Sequence, residues 1–259
     1  MTTNHLKRHI ELERLCGADF LPRRHRETRG GSPVRSNRQD AEDAKKTDSE
    51  KISKALLGAL GDLAVISDDS RDPIPAEFLD LRAQALGCMK CGLCKTRTQV
   101  VFGVGPLTAP LMFVGEAPGE DEDLQGEPFV GRAGQILTST LEKIGVKRDR
   151  VYIANILKCR PPGNRTPQPD EMAACMDWLL GQVRMIKPKL LCAMGNIAAQ
   201  TLLETKTGIT KLRGKVLESR VGPLFPTFHP AYILRNRNDL PIFESDLREA
   251  CRLAGLSLP

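Results

Sequence analysis

The feature that most constrains the fold is an alternation of two periodicities that begins near Ile74. Short apolar runs bounded by turn residues alternate with longer segments in which apolar residues recur at helical spacing. This alternation is typical of an α/β domain. We therefore expect a parallel-type central sheet flanked by helices, with ligands bound in the loops that follow the carboxyl ends of the strands. The predicted strands are Leu111–Val114, Val151–Leu157, Lys189–Ala193, Lys215–Glu218 and Leu224–Phe228, and the predicted helices are Ala133–Ile144, Pro169–Ile186, Asn196–Leu203 and Pro241–Leu253.

Residues 1–75 have a different character. Residues 22–50 consist mainly of Arg, Asp, Ser, Gly and Lys, and their few apolar side chains cannot offset the entropy cost of ordering. Ile52 and four leucines at helical spacing predict one helix over residues 51–65. We expect a largely disordered extension at residues 1–75, available for a repair or replication partner, and one domain over residues 76–259.

Charge and the absence of long apolar runs bound the class of protein. The chain begins with charged and single apolar residues, and no apolar run approaches the ~20 residues needed to span a bilayer, so we expect a cytoplasmic protein without membrane attachment. In that compartment the eight cysteines are expected as ligands or free thiols. Residues 81–259 carry 24 Lys and Arg against 17 Asp and Glu, an excess that suits nucleic-acid binding without establishing it.

Five cysteines have a spacing that suggests a metal centre. Cys88, Cys91 and Cys94 occur within GCMKCGLCK, Cys159 follows a predicted strand, and Cys175 lies sixteen residues later on a predicted helix. A CxxC pair places two thiolates beside one metal or cluster, and two further cysteines can complete the site. The spacing allows zinc or an iron–sulfur cluster and does not exclude Cys94. The ligand set that it favours is Cys88, Cys91, Cys159 and Cys175.

The loop after the first predicted strand is rich in Gly and Pro. The strand LMFVG continues into GEAPGEDED, which brings Glu116, Ala117 and several backbone amides to the strand end, where they can position a water or an anion. The loop has neither the GxGxxG order of a dinucleotide site nor the GK[ST] of a phosphate loop. A plain strand-to-helix turn explains it equally well.

Three further side chains stand beside predicted loops. Phe129, in EPFVGRAGQIL, is either a core residue or a platform on which a base stacks. Asn155 lies among apolar residues in VYIANILK, where either the backbone or the edge of a base can satisfy its amide. His229, in LFPTFHPAYILR, is the one histidine within the predicted domain and so the natural electrophile.

Taken in order, these motifs resemble those of the family 4 uracil-DNA glycosylases, the iron–sulfur type found in bacteria and archaea. The resemblance covers roughly residues 76–255. It implies the three-layer sandwich of uracil-DNA glycosylases and an enzyme that hydrolyses the N-glycosidic bond of deoxyuridine in single- or double-stranded DNA. The product is an abasic site, which initiates base-excision repair. The segments that carry the resemblance are CMKCGLCKTRTQVVFGVG, GEAPGEDED, PFVGRAGQIL, YIANILKCRPPGNRTP and FPTFHPAYILR.

The resemblance also implies roles for individual residues in the uracil pocket. Phe129 would stack on the flipped base, Asn155 would read its polar edge and His229 would bond its O2. Other uracil glycosylases have an Asp in the place of Ala117, so water activation would be weaker, shared, or left to Glu116 and backbone carbonyls. The catalytic residues would be Glu116 and His229, and the pocket set would be Glu116, Ala117, Pro118, Phe129, Asn155 and His229.

The resemblance further implies a four-iron four-sulfur (4Fe–4S) cluster, because the family quartet uses the first CxxC and leaves Cys94 spare. The ligands would be Cys88, Cys91, Cys159 and Cys175, and the candidate DNA contacts are Arg165, Leu234 and Arg235. A second function class stays open, that of a non-catalytic iron–sulfur DNA-binding module associated with a polymerase. Convergence of the catalytic candidates on one pocket would favour the enzyme.

Overall fold

A five-stranded sheet lies at the centre of the computed structural model, which describes residues 73–259. The extension predicted over residues 1–75, with its helix at 51–65, lies outside the described residues except for its last three positions. The strands stand in the order β2-β1-β3-β5-β4. Their bounds are Leu111–Gly115 (β1), Tyr152–Asn155 (β2), Leu190–Met194 (β3), Leu217–Ser219 (β4) and Gly222–Thr227 (β5).

Four of the five strands are parallel. β1 pairs in parallel with β2 and β3, and β3 pairs in parallel with β5, so the expected parallel-type sheet is confirmed. β4 runs antiparallel to β5 at the edge of the sheet. Only Arg220 and Val221 separate these two strands, and a connection that short closes a hairpin but cannot make a parallel crossover.

Helices cover both faces of the sheet. Successive residues of a strand point to opposite faces, so Met112 and Val114 of β1 belong to one buried cluster and Leu111 and Phe113 to the other. Residues 73–259 contain eight α-helices, with bounds Ala76–Leu86 (α1), Glu120–Gln125 (α2), Arg132–Lys143 (α3), Pro169–Ile186 (α4), Asn196–Leu203 (α5), Ile209–Leu212 (α6), Pro230–Arg235 (α7) and Leu240–Ala254 (α8).

The four predicted helices correspond to α3, α4, α5 and α8, with ends that differ by one residue or none. The sequence did not predict α1, whose buried side chains are only Phe78 and Ala85, too few for a clear helical stripe. It also missed three short helices of four to six residues. None of the helices within residues 73–259 is long and apolar enough to cross a membrane.

Candidate active site and cysteine cavity

A cavity of about 800 Å³ opens where the parallel strands end. The loop after β1 contributes Glu116 to its wall, the last residue of β2 contributes Asn155, and the loop after β5 contributes His229. This is the edge of the sheet where a parallel α/β domain binds its ligands. All six residues predicted for the pocket line it: Glu116, Ala117, Pro118, Phe129, Asn155 and His229.

Phe129 is held in an unusual backbone conformation beside the cavity. Its φ is 56°, a left-handed value that a bulky residue rarely adopts, and strain of this kind persists only where the surroundings enforce it. The ring centroid lies 5.6 Å from that of His229, with the planes inclined at 36°. A Cβ at Gly115 would overlap this ring, and one at Gly134 would overlap the Phe129 backbone. Two glycines therefore make room for the placement of Phe129.

Glu122 joins the two loops that form one side of the cavity. Its Oε1 accepts hydrogen bonds from the amides of Val130 (3.0 Å) and Gly131 (2.9 Å), and its Oε2 accepts one from Gly119 (3.0 Å). The sequence analysis did not identify this residue. A Glu at the third position of a helix is a capping signal, but its bonds to residues 130 and 131 depend on the tertiary fold.

Asn155 is 1% exposed and carries an unsatisfied acceptor. Within the described part of the chain its Oδ1 has no hydrogen-bond partner, while its backbone oxygen accepts from Lys158 Nζ at 2.9 Å. A buried acceptor without a donor costs free energy that a bound donor would recover. The Asn155 side chain is thus available to a ligand in the cavity.

His229 has a defined tautomer. Its Nδ1 accepts a hydrogen bond from the Ala231 amide at 3.1 Å, so in the neutral ring the proton lies on Nε2. Burial, together with the charge of Arg235, lowers the pKa of His229 to about 4. The ring is therefore neutral at physiological pH and can donate one hydrogen bond from Nε2.

Glu116 is the acidic group at the end of β1. Burial raises the pKa of its carboxyl above the ordinary value, because the ionised form loses hydration. A carboxylate with a raised pKa is a better proton acceptor, so Glu116 can polarise a water in the cavity.

Three positively charged residues stand at the cavity rim. The predicted DNA contacts Arg165 and Arg235 both line it, and so does Arg132, which the sequence analysis did not single out. The Arg165 guanidinium makes two hydrogen bonds to Glu171, at 2.6 and 2.9 Å, so it is already held in place. Leu234 lies on the same short helix as Arg235 and is partly buried.

A second, smaller cavity is lined by thiols and by Lys158, three residues after Asn155. The four predicted ligands line it, and so does Cys94, so wall position alone does not distinguish the five cysteines. Within residues 73–259 no three Cys, His, Asp or Glu side chains converge as they would on a single ion. The lining cysteines are Cys88, Cys91, Cys94, Cys159 and Cys175.

The donors around this cavity fit an anionic sulfur centre. Arg97 Nη1 approaches Cys159 Sγ at 3.3 Å, and the Lys158 amide approaches Cys175 Sγ at 3.2 Å. Trp178 also lines the cavity, and its buried Nε1 has no acceptor among the described residues. Donors directed at thiolate sulfur stabilise iron–sulfur clusters, so the residues present suit one.

Comparison with known proteins finds one matching family model, similar type-4 uracil-DNA glycosylases and a similar part of a phage DNA polymerase. The model of the "Uracil DNA glycosylase superfamily" matches residues 102–252. A type-4 uracil-DNA glycosylase of Thermotoga maritima is 49% identical over 154 residues, which are 59% of this chain and 80% of that protein. One of Archaeoglobus fulgidus is 43% identical over 188 residues, or 70% of this chain and 94% of that protein. A DNA polymerase of Bacillus phage SP01 is 33% identical over 146 residues, which are 56% of this chain and 16% of the polymerase.

Proposed function

The chain belongs to the type-4 family of the uracil DNA glycosylase superfamily, and from that premise we propose that it removes uracil from DNA. The reaction is hydrolysis of the N-glycosidic bond of deoxyuridine, which leaves an abasic site and initiates base-excision repair. The observation that carries the proposal is the convergence of Glu116, Asn155 and His229 on one cavity at the strand ends. A module that only binds DNA needs no such convergence.

The cavity is suited to a base that has left the duplex. Extrusion costs a few kcal/mol and is easiest at a mispaired or single-stranded base, so uracil opposite guanine is a natural substrate. Phe129 offers a flat ring on which the base stacks. The Asn155 amide can donate to uracil O4 from Nδ2 and accept from N3–H at its Oδ1, which has no partner within residues 73–259.

Bond cleavage places negative charge on uracil and positive character on the sugar. His229 donates from Nε2 to O2 as that charge grows, and a neutral, preoriented donor stabilises the transition state more than the ground state. Water then attacks C1′ of the sugar, and the proton that the water gives up neutralises the departing uracil anion, directly or through solvent. With Ala117 in place of an acidic residue, Glu116 accepts a hydrogen bond from that water and orients it, assisted by backbone carbonyls of the same loop.

Positive residues at the rim hold the DNA. Arg165 and Arg235 are proposed to contact phosphates, and Leu234 to press against the stack left by the extruded nucleotide. Substitutions at Leu234 or Arg235 should then weaken the binding of double-stranded DNA more than the binding of single-stranded DNA. We also propose a cytoplasmic location, since none of the seven cysteines within residues 73–259 forms a disulfide.

A 4Fe–4S cluster is the proposed resident of the cysteine cavity. When bound, it ties the segment before β1 to the loop after β2 and to α4, and the hydrolysis itself needs no electron transfer. Arg97, Trp178 and the Lys158 amide would donate hydrogen bonds to sulfur. The proposed ligands are Cys88, Cys91, Cys159 and Cys175.

Metal analysis tests the cluster. Anaerobically purified protein should be brown and contain iron and labile sulfide. Cys159→Ala should lose iron, whereas Cys94→Ala, which removes a thiol from the same cavity wall, should retain it. Zinc without iron, or equal iron loss in both variants, would contradict the assignment.

A strand-cleavage assay tests the enzymatic function. The full chain is incubated with an oligonucleotide that contains one uracil, and alkali then breaks the strand at any abasic site. Thymine- and cytosine-containing oligonucleotides serve as controls, and Glu116→Gln and His229→Ala should be slower than the unchanged protein. DNA binding without the formation of abasic sites would instead support the non-catalytic DNA-binding module. The similarity to part of a phage DNA polymerase is the observation that favours this alternative.

A further inference from the structure

Lys158 is a buried lysine that contacts the active-site residue Asn155 and lines the cysteine cavity. It is 1% exposed and belongs to the stretch that links Asn155 at the active site with Cys159 in the cysteine cavity. Its Nζ donates to the Asn155 backbone oxygen at 2.9 Å and to Gln182 Oε1 at 2.7 Å. The residue therefore touches the backbone of the proposed base reader while it lines the proposed cluster site.

The charge of Lys158 is not balanced by a carboxylate. None of the seven ion pairs found within residues 73–259 includes it, and both acceptors of its ammonium are neutral oxygens. Removing an ammonium from water is costly unless an anion lies nearby. Among the residues that line the cysteine cavity with Lys158, the groups that can become anionic are the five thiols.

A cluster in that cavity would supply the missing negative charge. Four thiolates outweigh the charge of a 4Fe–4S core, so the bound group is an anion. Lys158 lines its cavity, and its own amide lies 3.2 Å from Cys175 Sγ. Lys158 thus carries a buried ammonium on the residue that borders the proposed ligands Cys159 and Cys175.

We propose that Lys158 is the counter-ion of the cluster and, through its bond to the Asn155 carbonyl, a positioning residue for the uracil pocket. This inference rests on the cluster proposed above. When the cluster is bound, the ammonium is balanced and holds the Asn155 backbone in place. When the cluster is removed, the ammonium is left buried without an anion, and the segment that carries Asn155 loosens.

The test compares the midpoint of thermal unfolding (Tm) with and without iron, in the unchanged protein, in Lys158→Met and in Lys90→Met. Lys90 also lines the cysteine cavity, but its exposed ammonium pairs with Asp177 at 2.9 Å, so its removal deletes the same charge at a solvated position. Iron and labile sulfide are measured first in each sample. If the unchanged protein contains no iron, the proposed cluster itself is refuted, and the role of Lys158 falls with it.

Lys158→Met should lower the Tm of the iron-loaded protein and raise that of the iron-free protein. The difference in Tm between the iron-loaded and the iron-free protein, here called the Tm gap, should narrow by roughly 5–10 °C, because an uncompensated buried charge is strongly destabilising. Lys90→Met should leave the gap unchanged. The reduction potential of the cluster should also fall in Lys158→Met, since a nearby cation favours the more negative reduced state.

Activity supplies a second readout. Iron-loaded Lys158→Met should excise uracil more slowly while its affinity for DNA stays the same, because Asn155 is less well held. An unchanged Tm gap in an iron-loaded Lys158→Met protein would overturn the proposal, as would an equal narrowing in Lys90→Met. If Lys158→Met does not fold, the Tm of Gln182→Glu is measured with and without iron in its place. Its carboxylate would balance Lys158 permanently and should narrow the gap, and a gap equal to that of the unchanged protein would refute the inference.

Discussion

At the scale of single residues, one backbone hydrogen bond determines what His229 can do. The Ala231 amide occupies Nδ1, so the proton lies on Nε2, the nitrogen left to donate into the cavity. Burial keeps the ring neutral, because an imidazolium would lose its hydration there. A neutral donor can follow the charge that develops on uracil O2 without first releasing a proton.

The pH dependence of excision follows from this state. The pKa of His229 is lowered to about 4, so the ring stays neutral as the pH falls from 8 to 5.5. The single-turnover rate should therefore show no titration near 6.5 in that window. A histidine with an ordinary pKa of about 6.5 would lose roughly tenfold in its neutral fraction at pH 5.5. A change in the single-turnover rate centred near pH 6.5 that disappears in His229→Gln would show that His229 titrates there, and would contradict the neutral ring.

His229→Ala should impair catalysis more than binding. Loss of one donor to a developing oxyanion typically lowers the rate by about 10²–10³, and we expect a single-turnover cleavage rate reduced by that factor. DNA affinity, measured in parallel, should change little. Arg235→Ala, at the other end of α7, should show the opposite pattern. Normal cleavage together with poor DNA binding in His229→Ala would show that His229 is not a catalytic residue.

Asn155→Asp should relax the discrimination between uracil and cytosine. The amide presents a donor and an acceptor to uracil, while cytosine carries a donor where uracil has O4. A carboxylate lacks the donor for O4, so uracil excision should fall by about tenfold or more, and cytosine excision should become detectable. Excision from matched oligonucleotides containing either base measures the change. Full uracil activity in the variant would show that Asn155 does not read the base.

At the scale of elements, the end of β1 and the loop before α3 depend on close approach. Gly115 is the last residue of β1, and a Cβ there would overlap Asn155 Oδ1 and the ring of Phe129. Glu122 connects the same loop to the amides of residues 130 and 131. The strand ends therefore hold the Phe129 ring and the Asn155 amide in one fixed arrangement.

Gly115→Ala tests this arrangement. The added methyl group must displace Asn155 or Phe129, and a displacement near 1 Å at a reacting site can cost about 10²-fold in rate. We expect a loss of that order in single-turnover excision. Gly208→Ala is the matched control, since a Cβ there meets nothing within 4 Å. Equal activity of the two variants would show that the pocket tolerates the shift.

At the scale of the whole molecule, both proposed sites lie within residues 73–259, which contain their own two buried clusters on the faces of the sheet. Truncation before residue 74 should therefore leave a folded protein that contains iron and excises uracil at the rate of the full chain. Excision from a short duplex at moderate salt, compared between the two proteins, measures this. Reduced activity of the truncated protein under those conditions would show that residues 1–73 supply DNA contacts.

The sequence by itself determined the fold class, the approximate positions of the strands, four of the helices and the motifs that surround the cavity. Those features are local: periodicity follows from the backbone geometry of one segment, and loops such as GEAPGEDED directly follow their strands. The six predicted pocket residues line one cavity, although their individual roles remain predictions.

Only the tertiary structure decided the strand order and the left-handed backbone of Phe129. It also decided that Lys158 donates to Gln182, 24 positions along the chain, and that Arg97 meets Cys159, 62 positions away. These features depend on which distant segments pack together and on how much water they exclude. A hydrogen bond or a pKa shift of that origin has no periodic signal in the sequence, because its cause lies in a neighbour that only the folded chain supplies.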